Sequence, residues 1–282
     1  MKTKFNNKLK NLNLFSKGFL LIYTLISAIP LYYVLINAFK INRYITNSPI
    51  RFPNLESFTF GNILRSWESL KYLQSLFNTL FVVVISCLLL IVVGSLAGYA
   101  ISIVNSRGYR LFYFIAILLI TVPFQVIMVP LVINLNHIGL LNSYFGTSMI
   151  FVGIMLPVVI FLYTGFMRSL PKELCEAAVV DGAGMFRVYL QIYFPLMKTI
   201  TGTVLIIKGT SIWNDFLIPL ITISDSDKTP LIVRLYSFAS VRFNSWELLF
   251  GSTFLSAMPL IVMFLFLQKS FIRGVVAGAV KG

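Results

Sequence analysis

Long apolar runs alternate along the chain with short polar connections. The runs cover about Phe15–Phe39, Leu76–Val104, 111–135, Tyr144–Phe166, Leu196–Ile221 and Leu249–Phe271. Each has roughly the 20 apolar residues that an α-helix needs to cross a hydrocarbon core of about 30 Å. Lipid offers the backbone no hydrogen-bond partners, so spans of this kind close their bonds internally, as helices. The pattern predicts an all-α integral membrane protein with about six transmembrane helices. The first run is too long for a signal peptide and lacks a small-residue cleavage site, so it reads as a retained helix. Gly94 and Gly98 in the second run predict a close helix approach. Pro123 and Pro130 predict a kink in the third. The long polar connection after the first run, with Pro49, Pro53 and the stretch FPNLESFTFGN, predicts a surface loop with a short interfacial helix.

One stretch breaks the alternation. Residues 168–195 are too polar to span and too patterned for a loose loop, and ELCEAAVVDGAG (173–184) holds Glu173, Glu176 and Asp181, three of the nine acidic residues. Pro171 suits a first helical turn, with Ser169 available as a cap. Leu174, Ala177 and Ala178 recur on one helical face while Glu173 and Glu176 point elsewhere. Asp181-Gly-Ala-Gly184 predicts a left-handed helix end, and MFRVYLQIYF a second amphipathic piece leading to Pro195. The expectation is a helix–turn–helix at a membrane face. A lipid-binding interfacial helix would carry mostly Lys and Arg. Carboxylates beside an anionic surface favour a protein partner with basic residues, although a helix that merely lies at the interface remains the alternative.

Composition fixes the solvent and leaves charge to fix orientation. Hydrophobic residues make up 58% and charged residues 11%, with a mean hydropathy of +0.88 and a net charge of +14. A soluble chain could not hide that much apolar surface. No basic patch with interleaved aromatics points to nucleic acid. With the N-terminus inside and six spans, 14 of the 23 Lys and Arg fall on inner segments, among them Arg107, Arg110, Arg168 and Arg187. The positive-inside rule then predicts cytoplasmic termini and a cytoplasmic ELCEAAVVDGAG. Cys87 and Cys175 fall at different depths and predict neither a disulfide nor a metal site. His137, the one histidine, reads as an outer-loop residue with no metal to bind.

Lys208 lies near the middle of the fifth run, about 15–20 Å from its inner end at the usual helical rise. That depth makes snorkelling difficult. Thr201, Lys208 and Asp215 are spaced by sevens, with Ser211 between, and so would share a face. The stripe reads as lining a water-filled substrate path, with Lys208 and Asp215 balancing each other directly or through water. An internal charge pair holding the bundle together is the alternative. Trp213 and Asn214 supply an aromatic face and a planar hydrogen bonder, suited to a sugar or equally to an interfacial belt.

Glu176-Ala-Ala, then Gly182, then Ile192-Tyr-Phe-Pro195 resembles the EAA motif of ABC importer permeases. NTLFVVV (78–84), GSLAGYA (94–100), VPFQVIMVPL (122–131), GLLNSY (139–144), RSLPKELCEAAVVDGAG (168–184), SIWNDFLIPL (211–220) and AGAVKG (277–282) are similar to the carbohydrate-uptake permeases of the MalG type. The resemblance implies a type I importer permease: an N-terminal tail, first helix and outer loop over 1–71, a transmembrane core over 72–270 with its coupling helix at about 171–192, and a cytoplasmic tail over 271–282. It implies that Glu173, Glu176, Ala177, Ala178, Asp181 and Gly182 form the surface meeting an ATPase dimer, that Glu176 meets a basic residue there, and that Ala277 and Lys281 reach it too. Substrate-path candidates are Lys208, Ser211, Asn214 and Asp215. Lys208 departs from the family's pattern and would suit an anionic or amino-bearing cargo.

The chain has no phosphate-binding loop, so it is expected to be no enzyme and to hold no catalytic residue, metal or cofactor, with ATP and Mg bound by the partner ATPase. The implied partners are a second, homologous permease, an extracytoplasmic binding protein, a sugar and the lipid bilayer of a bacterial cell membrane. An ABC permease for a non-sugar solute is the nearest rival. An ion-coupled carrier would show several embedded carboxylates and internal repeats.

Overall fold

The computed structural model describes residues 14–104, 106–171, 173–241 and 245–279, and among these it is almost wholly helical, without strands. Four helices are long and apolar enough to cross a membrane: Phe15–Ala38, Tyr72–Ile103, Tyr144–Met167 and Trp246–Phe266. Two bent pairs raise the number to six if each counts as one span, Arg107–Leu119 with Phe124–His137 at 104° and Met185–Leu196 with Lys198–Asn214 at 70°.

Two of the expected runs therefore differ from simple spans. The third is not one kinked helix, because residues 120–123 break it and Pro123 stands at the N-cap of the second piece. Proline has no N–H to donate and tolerates that position, while Pro130 remains inside the helix. His137 closes that same helix and lies outside any loop. The fifth run stops at Asn214, where Asp215 turns extended and Leu217–Thr222 forms a separate short helix. The last helix runs unbroken from Trp246 to Ala279.

The chain divides into two compact units. The first holds the described residues up to Ser69 with those of Phe238–Ala257. In it the predicted interfacial connection becomes two short helices, Asn42–Asn47 and Gly61–Ser69. Lys40 is buried between them and donates to the carbonyls of Ser48 and Pro49 at 3.0 and 3.2 Å. Burial pushes its pKa down. Gly251 lets the last helix approach Gly61–Ser69, since a Cβ there would meet Ser66 Oγ and the Asn62 carbonyl.

The second unit is built on two helices, α1 (Tyr72–Ile103) and α2 (Tyr144–Met167). The Gly94/Gly98 pair makes their contact close. A Cβ at Gly94 would lie 2.5 Å from Val159 Cγ1, and one at Gly98 2.8 Å from Tyr163 Cβ and 3.1 Å from the Thr164 nitrogen. In lipid no hydrophobic force draws helices together, so such backbone approach supplies packing that bulkier residues would prevent. The helix Lys198–Asn214, α3, lies against α1 where Gly209 faces Cys87 and Val83. Cys87 and Cys175 are both free and buried.

Candidate coupling turn and substrate path

Residues 173–184 form a short exposed helix with a defined end. The helix Glu173–Val180, α4, is followed by Gly182 at φ +80°. Gly182 N–H donates to the Val179 carbonyl at 3.0 Å and Ala183 N–H to the Ala178 carbonyl at 2.9 Å. These two bonds satisfy carbonyls that the helix end would leave unpaired, and the left-handed residue between them is glycine for want of a Cβ clash. The expected turn is present. Its start is different: Ser169 does not cap α4, because its hydroxyl donates back to the Phe166 carbonyl at 2.6 Å. Ser169 instead satisfies the end of α2.

The buried face of α4 also differs from the expected one. Ala177 is exposed and Ala178 half-buried, while Cys175 is buried at 7% exposure. Cys175 thus packs into the fold as a free thiol. Burial pushes its thiol pKa up, and the neighbouring Glu176 carboxylate adds to the shift. Glu173, Glu176 and Asp181 are exposed, and so are Val179, Val180 and Phe186. The turn therefore presents three carboxylates beside bare apolar side chains, a mixture suited to a protein surface.

Behind the turn stands a tyrosine brace that the sequence reading missed. The arm Met185–Leu196 includes a wider turn over Tyr189–Tyr193, with Tyr189 and Tyr193 both buried. Tyr99 of α1 donates from its hydroxyl to the Met185 carbonyl at 2.9 Å. Ser95 Oγ and the Tyr189 hydroxyl share a hydrogen bond of 2.8 Å. The Tyr99 ring lies 5.3 Å from that of Tyr189 and 5.2 Å from that of Tyr193. One helix end thereby holds the arm that leaves the exposed turn. Tyr189 and Tyr193 at i and i+4 were the available signal, since such a pair shares a helical face.

The substrate-path candidates separate. Along α3, Ile207, Ser211 and Asn214 are exposed at i, i+4 and i+7, with half-buried Lys208 at the edge of this open face. Ser211 and Asn214 hydrogen-bond the carbonyls of Ile207 and Thr210. Thr201 lies elsewhere, paired with the Tyr163 hydroxyl of α2 at 2.9 Å. Asp215 is past the helix end, and its carboxylate accepts from Ile218 N–H at 2.8 Å. The expected shared face of Thr201, Lys208 and Asp215 is therefore not formed. Among the described residues Lys208 and Asp215 make no direct ion pair, because Asp215 serves the next helical turn. Trp213 is buried at 5% exposure and offers no free aromatic face.

At the opposite end of α1 a polar lattice fastens residues 222–231. Asn78 donates to the Asp227 and Thr229 carbonyls and accepts from Tyr144 at 2.7 Å. The Asn142 side chain accepts from the amides of Ser224 and Asp225, and Lys71 pairs with Asp227 at 2.9 Å. No group of His, Cys, Asp and Glu among the described residues could hold a metal. Of the tail candidates, Ala277 lies within the last helix and Lys281 outside the described residues.

The family described as binding-protein-dependent transport system inner membrane component matches residues 90–276. The chain belongs to this family. Its members are membrane components of transport systems, so this chain is a multi-pass transport component and not an enzyme. It is 36% identical over 225 residues to the melibiose/raffinose/stachyose import permease protein MelC of Bacillus subtilis (strain 168), covering 79% of this chain and 82% of that protein. It is 33% identical over 257 residues to the multiple sugar-binding transport system permease protein MsmG of Streptococcus mutans serotype c, covering 90% and 91%. A crystal structure of a bacterial ABC transporter that imports the acidic polysaccharide alginate shares the fold, with a TM-score of 0.76 and 23% identity over 92% of this chain and 95% of that one.

Proposed function

We propose that this chain is the permease subunit of an ATP-driven importer that moves a sugar or oligosaccharide delivered by an extracytoplasmic binding protein. Family membership and relatives named for sugar import support this reading. The observation that carries the mechanism is the exposed acidic helix Glu173–Val180, ended at Gly182 and braced through Tyr99 to the long helix α1. In this reading Glu173, Glu176, Ala177, Ala178, Asp181 and Gly182 seat in an ATPase dimer that binds ATP and Mg, and Ala277 and Lys281 approach it as well. The turn then faces the cytoplasm, with both termini, a placement supported by the Lys and Arg asymmetry.

Closure of the ATPase pair would push the turn, and the tyrosine brace would pass that displacement to α1 and α3. The cargo path would follow the open face of α3 through Lys208, Ser211 and Asn214, shared with a second, homologous permease, with Asp215 at its mouth. Domain bounds at about 71 and 270 follow from the same reading. Affinity purification of the tagged chain tests it: a nucleotide-hydrolysing subunit and a second permease should copurify in stoichiometric amount. Purification of the folded chain with neither would refute it.

A further inference from the structure

Two cavities of about 410 Å³ each meet at the end of α1 that also carries the coupling turn, and Ile101 lines both. One is mixed: Ser102, Arg110, Arg168 and Tyr193 line it together with apolar Val104 and Leu170. The other is apolar, walled by Ala97, Ala100, Gly108 and Phe112. Arg168 lies over the Tyr113 ring at 5.0 Å, which positions its guanidinium without neutralising it. Among the described residues neither Arg110 nor Arg168 has a carboxylate within ion-pair distance. Phe112 and its helix neighbours Leu111, Ile115 and Leu118 are exposed, so the apolar cavity opens on a greasy helix face.

A dicationic pocket fits a phosphate. An apolar groove continuous with it fits an acyl chain, which a free anion would not use. The location fits as well, since the pocket lies where the span Tyr72–Ile103 ends and the helix Arg107–Leu119 begins, and the end of a membrane-crossing helix lies at headgroup level. We infer that this is a binding site for one anionic phospholipid, its phosphate held between Arg110 and Arg168 and an acyl chain laid along Ala97, Ala100 and Phe112. The placement in the inner leaflet rests on the orientation proposed above, and anionic lipids are the ones that basic residues at a cytoplasmic membrane face select.

The site also touches the coupling segment at both ends. Arg168 precedes the Glu173–Val180 helix and Tyr193 follows it, in the braced arm. A bound headgroup would fix the spacing of these two flanks, so the lipid acts as a structural part of the coupling device.

Native mass spectrometry of the purified full complex tests the site directly, with phosphatidylglycerol and phosphatidylcholine as probes. The wild-type complex should retain phosphatidylglycerol in preference. The double variant Arg110→Gln/Arg168→Gln should bind it at least about tenfold more weakly, given the share of each surface arginine in holding anionic lipid. Arg110→Lys/Arg168→Lys should keep the preference, and Ala100→Trp should weaken lipid retention by filling the groove. Equal retention of the two lipids by the wild-type complex overturns the inference, and that arm needs no variant to fold. Unchanged phosphatidylglycerol binding in the double Gln variant overturns it too. Displacement of the lipid by millimolar inorganic phosphate would assign the pocket to a free anion, and a crosslink from Phe112 to another subunit would assign the groove to a protein. Retention is read without transport, so failure of the importer reading would show separately, as absent copurification of the ATPase.

Discussion

The Tyr99 hydroxyl donates to the Met185 carbonyl at 2.9 Å, joining the end of a 32-residue helix to the first residue of the arm beyond the Gly182 turn. Tyr99 is buried, with its ring against those of Tyr189 and Tyr193, while Met185 is exposed, so the bond lies at the edge of the packed rings. Tyr99→Phe keeps the ring and removes the bond, a loss of about 1 kcal/mol. The variant should assemble normally, yet the ratio of transport to ATP hydrolysis in reconstituted vesicles should fall several-fold. An unchanged ratio would remove the brace from the mechanism.

The Gly98 contact is a matter of space. Gly98→Ala would place a methyl against the Tyr163 side chain and the Thr164 backbone, which cannot rotate away. Overpacking of this kind costs about 1–3 kcal/mol. Gly153→Ala, where nothing lies within 4 Å, is the matched control. Thermal unfolding in detergent should show a lower Tm for Gly98→Ala and no drop for Gly153→Ala.

Lys208 stands at the edge of the open face of α3, with Ser211 and Asn214. Lys208→Met should preserve folding and ATPase binding while altering transport or cargo preference. Lys208→Cys in a cysteine-free background should react with small water-soluble thiol reagents, more slowly when cargo is added. An inert thiol together with normal transport by Lys208→Met would place the residue outside the path.

Orientation is read by labelling. A cysteine at Ser224, in the segment fastened by Asn142, should react with an impermeant maleimide in intact cells. One at Ser106 should react only after permeabilisation. The reverse result inverts the topology and moves Glu176 to the wrong side for any ATPase.

The segment 222–231 carries a mild acid sensitivity. The Lys71 ammonium bonded to Asp227 holds that carboxyl below the usual carboxylate range. A lowered folded pKa means that the pair's contribution is complete above about pH 4, the unfolded value, and is lost as pH falls through the folded one. Both side chains are exposed, so the effect is small. The distance between spin labels at Leu73 and Ser226 should stay constant from about pH 5 to 8 and broaden in stronger acid. Lys71→Met should abolish that dependence.

Much of this fold was legible because lipid imposes one rule on every span, and the apolar runs beginning near Phe15, Leu76 and Tyr144 follow it. The Gly182 turn was legible because a left-handed residue leaves a glycine in the sequence. Side-chain partners were not. Seven-residue spacing placed Asp215 on a face with Lys208, but the helix ends at Asn214, and a carboxylate just past a helix end finds the next helix's free amides. The burial of Cys175 beside Tyr99 and Tyr193 was not legible either, because a contact between residues as far apart as 99 and 175 leaves no local periodicity.

The central claim is that this chain carries a sugar across the membrane on energy delivered at the Glu176 turn. Uptake of a labelled oligosaccharide into proteoliposomes holding the copurified complex measures it, with its binding protein supplied on the substrate side and ATP on the other. The account predicts accumulation that requires both, and its loss in Glu176→Ala at unchanged permease content, consistent with about 2–5 kcal/mol for a buried charge left without its partner. Uptake that proceeds without ATP, or at full rate in Glu176→Ala, would contradict it.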